Sequence, residues 1–137
     1  MTLSTTRSLR LATGRVNVAV RYYVVLVCTA SAGVHAALVP EHLRESRALG
    51  LAFALCAGFL ALAALVLRQS RHDSWAPRTA GILLGLTALT YAMSRTTGIP
   101  WLIPDPEQLD VLGLATSAAE VLAALSATLL ITRKEPQ

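Results

Sequence analysis

Two histidines and two carboxylates crowd into one short stretch of this sequence, His35-Ala-Ala-Leu-Val-Pro-Glu-His-Leu-Arg-Glu-Ser-Arg47. His42 and Glu45 are three residues apart and would share one face of a helix. Helices that hold carboxylate-bridged metals use that spacing in the opposite order. Imidazole together with carboxylate suits zinc or copper. The expected metal ligands are therefore His35, His42 and a carboxylate, either Glu45 or Glu120. The plainer reading pairs Glu41 and Glu45 with Arg44 and Arg47 at the headgroup level and leaves His42 in water. Haem is not expected: His35 is the only histidine inside an apolar block, and bis-histidine ligation needs two.

Glu120 is the second residue that could do chemistry. It falls in the middle of the last apolar block, on a face shared with Asp110, Gly113, Ser117 and Ala124. An ionisable group at that depth costs about 2.5–3.5 kcal/mol on insertion scales, which marks it as a functional candidate. Its structural alternative is a protonated carboxyl bonded to Ser117, Thr87 or Tyr91, holding helices together. Arg95 is the third. Thr87, Tyr91 and Ser94 form a polar line along one helix face leading to it, and it is the only basic residue in a connection that carries Asp105, Glu107 and Asp110. Arg95 is expected to pair with Glu120 or Asp110.

The elements that position these residues are apolar. Of 137 residues, 54% are hydrophobic and 15% charged, and mean hydropathy is +0.55. A soluble domain carries about 25% charge. The apolar residues gather in four blocks, 22–39, 49–67, 79–95 and 110–131, near the length of about 20 residues that crosses a bilayer. The third is short and needs Arg95 to snorkel outward. A soluble four-helix bundle is set aside, since its helices would need polar outer faces. The expected fold is an all-α integral membrane four-helix bundle over 21–132, with a basic tail at 1–20 and a short tail at 133–137. The net charge of +4 does not point to nucleic acid. Nine basic residues fall before the first block, in the second connection and at the C-terminus; only Arg44, Arg47 and Arg95 fall in the other two connections. The positive-inside rule then places both termini in the cytoplasm.

Along the chain, the tail is either frayed or laid on the anionic leaflet. Its arginines, the core at 22–29 and Ala30-Ser-Ala32 make a passable signal peptide, but the apolar run continues to Val39, which favours an uncleaved span. Val27 is too bulky for a lipoprotein site at Cys28. Pro40 is expected to end the first helix. Cys28, Ala32 and His35, with Ser31 beside them, form a small polar face expected to point inward. Cys28 and Cys56 are read as buried free thiols. Ala54, Ala57, Gly58 and Ala61 are expected to be the packing surface of the second helix, and Gly81 with Gly85 a close-approach pair. Trp75 and Trp101 are placed at the interfaces. His72 lies in the cytoplasmic connection, away from the other two histidines.

Gly33-x-His35, Pro40-Glu-His-x-x-Glu45, Gly50-x-x-Phe53, Ser94-Arg-Thr-x-Gly-Ile-Pro100, then Asp110 and Glu120 together resemble a group of small four-helix membrane proteins of high-GC Gram-positive bacteria. Eleven arginines against one lysine suit such genomes. The resemblance implies a multi-pass protein of the bacterial cytoplasmic membrane and implies no reaction. Three functions are consistent with these residues. The first is a copper or zinc site at the outer mouth, with Glu41, Arg95, Asp110, Ser117 and Tyr91 as its polar surroundings. The second is a non-enzymatic accessory subunit, docked through small-residue faces as a homo-oligomer or in a larger membrane complex. The third is a proton-coupled transporter or membrane enzyme using Glu120 and His35, ranked last because four short helices leave little room for a substrate path.

Overall fold

The computed structural model describes the backbone of residues 2–70 and 75–132 and the side chains of 16–70 and 75–131. His72, Arg71, Asp73 and the 133–137 tail lie outside the described residues. The chain is all-α, with four helices: α1 (Thr2–Glu45), α2 (Arg47–Gln69), α3 (Trp75–Thr96) and α4 (Val111–Thr132). Each packs on its sequence neighbours and α4 closes back on α1. Contacts across one diagonal, α1 with α3, are sparse, and α2 does not meet α4. Arg21 in the middle of α1 beside the end of α2, and the start of α3 beside the end of α4, make the bundle antiparallel.

Among the described residues, three segments are long and apolar enough to cross a membrane: Val16–Glu45, Arg47–Gln69 and Val111–Ile131. α3 matches them in length, at 22 residues, but Arg78 and Arg95 near its ends and several hydroxyl residues between make it more polar. Large apolar side chains such as Leu26, Leu55, Phe59, Ile82 and Leu125 lie exposed on the outer faces. Hydroxyls on those faces return to their own helix: Thr29 bonds the Val25 carbonyl, Thr90 that of Leu86 and Ser126 that of Leu122. Such back-bonding lets a hydroxyl residue sit among apolar neighbours without an orphaned donor.

The apolar core fills one half of the bundle. Val24, Leu60, Leu67, Ala80, Leu84, Ala123 and Ala127 are buried there. Small residues bring α3 against α4: a Cβ on Gly81 would stand 3.2 Å from the Ala127 Cβ. Gly85, its expected partner in close approach, faces open space. At this end Arg21 donates to the carbonyls of Leu67 (2.5 Å) and Ser70 (2.7 Å), which satisfies the end of α2.

Three expectations change. α1 does not end near Pro40. It runs on to Glu45, and the break falls at Ser46, whose backbone is extended (φ −155°, ψ 134°). Pro40 removes a single donor near the helix end. The continued turn brings Leu43 against Gly50, so close that any Cβ on Gly50 would sit 2.8 Å from the Leu43 Cα. Helix also occupies 2–15, in place of the frayed tail that was one of the two readings of that stretch. Third, the small face of α2 is not its packing face. Ala54, Gly58 and Ala61 are exposed, and Leu60, Ala63, Ala64 and Leu67 are buried instead. Side-chain size does not decide the face, since Leu55, Phe59, Leu62 and Leu65 are exposed as well.

The α3–α4 connection is ordered around one glycine. Gly98 adopts φ +70°, and a Cβ there would stand 2.7 Å from the Ile103 carbonyl oxygen. A left-handed residue without a side chain is what this turn requires. Ile99 and Ile103 then pair in a single antiparallel bridge, and Trp101 stands fully exposed at its tip.

Candidate functional site

Opposite the apolar core, the bundle holds a cavity of about 340 Å³. All four helices and the α3–α4 connection contribute to its wall. α2 and α4 face each other across it, and the side chains at this end do not close the centre.

The deep end is built by α1 and α4. Glu120 is 2% exposed, and Ser31, 1% exposed, donates its hydroxyl proton to Oε1. Thr87 and His35 are the carboxyl's other polar neighbours. The Nδ1–H of His35 donates to the Ser31 carbonyl oxygen at 2.9 Å, with the Ser31 hydroxyl 3.4 Å away. Thr87 also donates to the Leu84 carbonyl of its own helix at 2.9 Å. The inward face of Cys28, Ser31, Ala32 and His35 read from the sequence is therefore formed, with Cys28, Ser31 and Ala32 buried. Ser31 is the partner of Glu120 that helical spacing did not reveal, because the bond joins residues 89 positions apart.

Ser31→Ala leaves Glu120 Oε1 without that donor. Hydrogen bonds in membrane proteins average ~0.6 kcal/mol, and an orphaned buried acceptor adds to the loss, so about 1 kcal/mol of stability is expected to go. Thermal unfolding of the detergent-solubilised variant checks this; a melting curve unchanged from wild type would remove Ser31 from the account.

The shallow end is built around Arg95. Its Nη1 donates to Glu107 Oε2 at 2.6 Å and its Nη2 to Asp110 Oδ2 at 2.9 Å. The guanidinium carbon lies 4.9 Å from the Tyr91 ring centroid, and Tyr91 donates to the Asp110 carbonyl at 3.3 Å. Asp110 also caps α4: its Oδ1 accepts from the Gly113 N–H at 2.5 Å. The Glu107 N–H donates to the Ser94 carbonyl at 2.9 Å, pinning the connection to the end of α3. Arg95 thus pairs with Asp110, one of its two expected partners, and with Glu107 in place of Glu120. The Arg95 Nε is buried and has no partner among the described residues.

The two histidines meet on a residue whose role spacing alone did not suggest. The ring centroids of His35 and His42 stand 5.4 Å and 4.0 Å from that of Phe53. The Nδ1–H of His42 donates to Glu45 Oε2 at 2.9 Å. Nδ1 is thus committed in both rings, and Nε2 is the nitrogen left for a ligand. Glu45 itself is half exposed and does not line the cavity. Among the described residues, no three of His, Cys, Asp and Glu stand where they could share one metal ion. The expected set His35, His42, Glu45 and Glu120 is divided in two: His42 with Glu45, and His35 with Ser31 and Glu120. Ser117 and Glu41 line the cavity without a side-chain bond among the described residues. Both cysteines are free; Cys28 is buried in the core and Cys56 is half-buried on the cavity wall.

No protein-family model, curated protein or solved structure matches this chain.

Proposed function

We propose that this is a multi-pass membrane protein that binds a small ligand inside the outer half of its bundle. In this reading α3 is the fourth span, both termini are cytoplasmic, and the cavity opens on the outer side of the bacterial cytoplasmic membrane. The excess of arginine at the opposite end supports that orientation. The cavity carries the functional reading. Ligand sites are mostly apolar concavities of roughly 300–1,000 Å³ with a few convergent polar groups. This one has walls such as Val34, Leu38, Leu49 and Phe53, and polar groups at both its depth and its mouth.

Cys56 reports on it. In protein reconstituted into nanodiscs, methyl methanethiosulfonate, a small neutral thiol reagent, is expected to modify Cys56 while Cys28 stays intact, as mapped by peptide mass spectrometry. Ala52→Phe places bulk on the same wall and is expected to slow that modification. Cys56 that resists the reagent, or reacts at the same rate in Ala52→Phe, counts against a cavity open to ligands.

A second reading rests on the imidazoles. Metal-bound histidines commonly donate their other ring N–H to a carboxylate or a backbone carbonyl. His42 and His35 make these two bonds. A copper or zinc ion on their Nε2 atoms is expected to appear at stoichiometric level in elemental analysis of the purified protein, and to vanish in His35→Ala/His42→Ala. Equal metal content in both proteins would eliminate it.

A further inference from the structure

We infer that the ligand of this cavity is an amphipathic organic cation, an amine or quaternary ammonium group carried on an apolar body. The inference rests on the cavity being a ligand site and adds the chemistry of its occupant.

The charge on the lining is unbalanced. Glu41, Glu107 and Asp110 set three carboxylates against one guanidinium, while Glu120, already bonded by Ser31, and the imidazoles of His35 and His42 complete the polar lining. Arg95 is already engaged by two carboxylates through both of its terminal nitrogens. It therefore offers little net attraction to an anion, and an anion entering would meet the remaining carboxyls in a medium that screens poorly. A cation meets the reverse field, and a cleft lined by one sign of charge concentrates the opposite sign.

The walls decide between kinds of cation. Apolar side chains of α1, α2, α4 and the α3–α4 connection line the cavity beside Glu120 and Arg95. A bare or hydrated metal ion gains nothing from such walls. A purely apolar ligand would fill them and leave unused the negative charge by which Glu107 and Asp110 together exceed Arg95. A molecule with a cationic head and an apolar body satisfies both parts.

Three thiol reagents on Cys56 test the class directly. The rates of the trimethylammonioethyl and sulfonatoethyl methanethiosulfonates are each divided by their rates on a free thiol. The cationic reagent is expected to react at least about tenfold faster than the anionic one, the lower end of the enhancement that electrostatic focusing gives. Glu41→Gln, on the exposed rim where folding is not at stake, is expected to reduce the ratio several-fold. Decyltrimethylammonium below its micellar concentration is expected to slow the neutral reagent, and decyl sulfate to leave it unchanged. A ratio near one, or faster reaction with the anion, overturns the cationic class while the cavity stands, provided the neutral reagent still reaches Cys56. Protection by zinc ion without protection by decyltrimethylammonium overturns it in favour of the imidazole metal site. No reaction with the neutral reagent takes down the cavity and this inference together.

Discussion

Gly50→Val is expected to unseat the hairpin between α1 and α2. Gly50 is buried in the first turn of α2, and a Cβ there would sit 2.8 Å from the Leu43 Cα. Real Cβ atoms do not approach backbone so closely, so the two helices must part. Overpacking a core usually costs ~1–3 kcal/mol. Here the obstacle is backbone, which cannot turn aside as a side chain can, and a loss at or above the top of that range is expected. The Ser46 link gives no slack: one extended residue joins two helices that otherwise run without interruption. Gly50→Ala should show the same defect at smaller size. Leu43→Ala should not rescue it, because the Leu43 Cα remains. Denaturant titration of the purified variants, followed by helical circular dichroism, measures the loss. Wild-type stability in Gly50→Val would mean that the helices approach each other less closely than described here.

Arg95→Met should produce the second large effect, at the opposite connection. It leaves Glu107 and Asp110 side by side with no cation between them, and it removes the guanidinium that rests on Tyr91. Removing one partner of a buried ion pair costs about 3–5 kcal/mol. The Glu107 and Asp110 side chains are 35% and 49% exposed, so solvent recovers part of that. A loss of ~2–3 kcal/mol is expected after that discount. The loss should be local, because α4 keeps its Asp110 cap while the connection over 97–110 loses its anchor to α3. Limited proteolysis in nanodiscs should therefore cut that connection in Arg95→Met and spare it in wild type. Arg95→Lys should fall between the two, since a single ammonium cannot reproduce the forked contact to two carboxylates. Equal protease resistance in all three proteins would show that Gly98, the Ile99–Ile103 bridge and the Glu107–Ser94 backbone bond hold the connection without the arginine.

The inward face of α1 was legible before any coordinates. Cys28, Ala32 and His35 recur at helical spacing, and small or polar residues in an apolar block belong in the interior. The partner of Glu120 was not. The helical face that Glu120 shares with Ser117 named a plausible neighbour, and the bond went to Ser31 on α1. Nothing in the local pattern distinguishes a serine that bonds its own helix, as Ser126 does, from one that reaches across. The position of the α1–α2 break was also missed. Pro40 is the strongest local stop signal in the stretch, and the gain from packing Leu43 on Gly50 outweighed it.

What the sequence alone determined is the class of the protein and the identity of its polar residues. Four apolar blocks, few charges within them and short polar connections leave an all-α bundle as the consistent architecture, because only helices satisfy their own backbone in apolar surroundings. The polar residues stood out because each is costly in such a setting and persists only with a partner. Which partner each one takes, and whether the space between them is filled or open, was decided by the tertiary structure. Those outcomes depend on how four cylinders of unequal side chains meet around a common axis, a long-range packing property that no local spacing encodes. At one end leucine and alanine close the centre. At the other, the four helices and the α3–α4 connection leave open the cavity that His35, His42, Arg95 and Glu120 line.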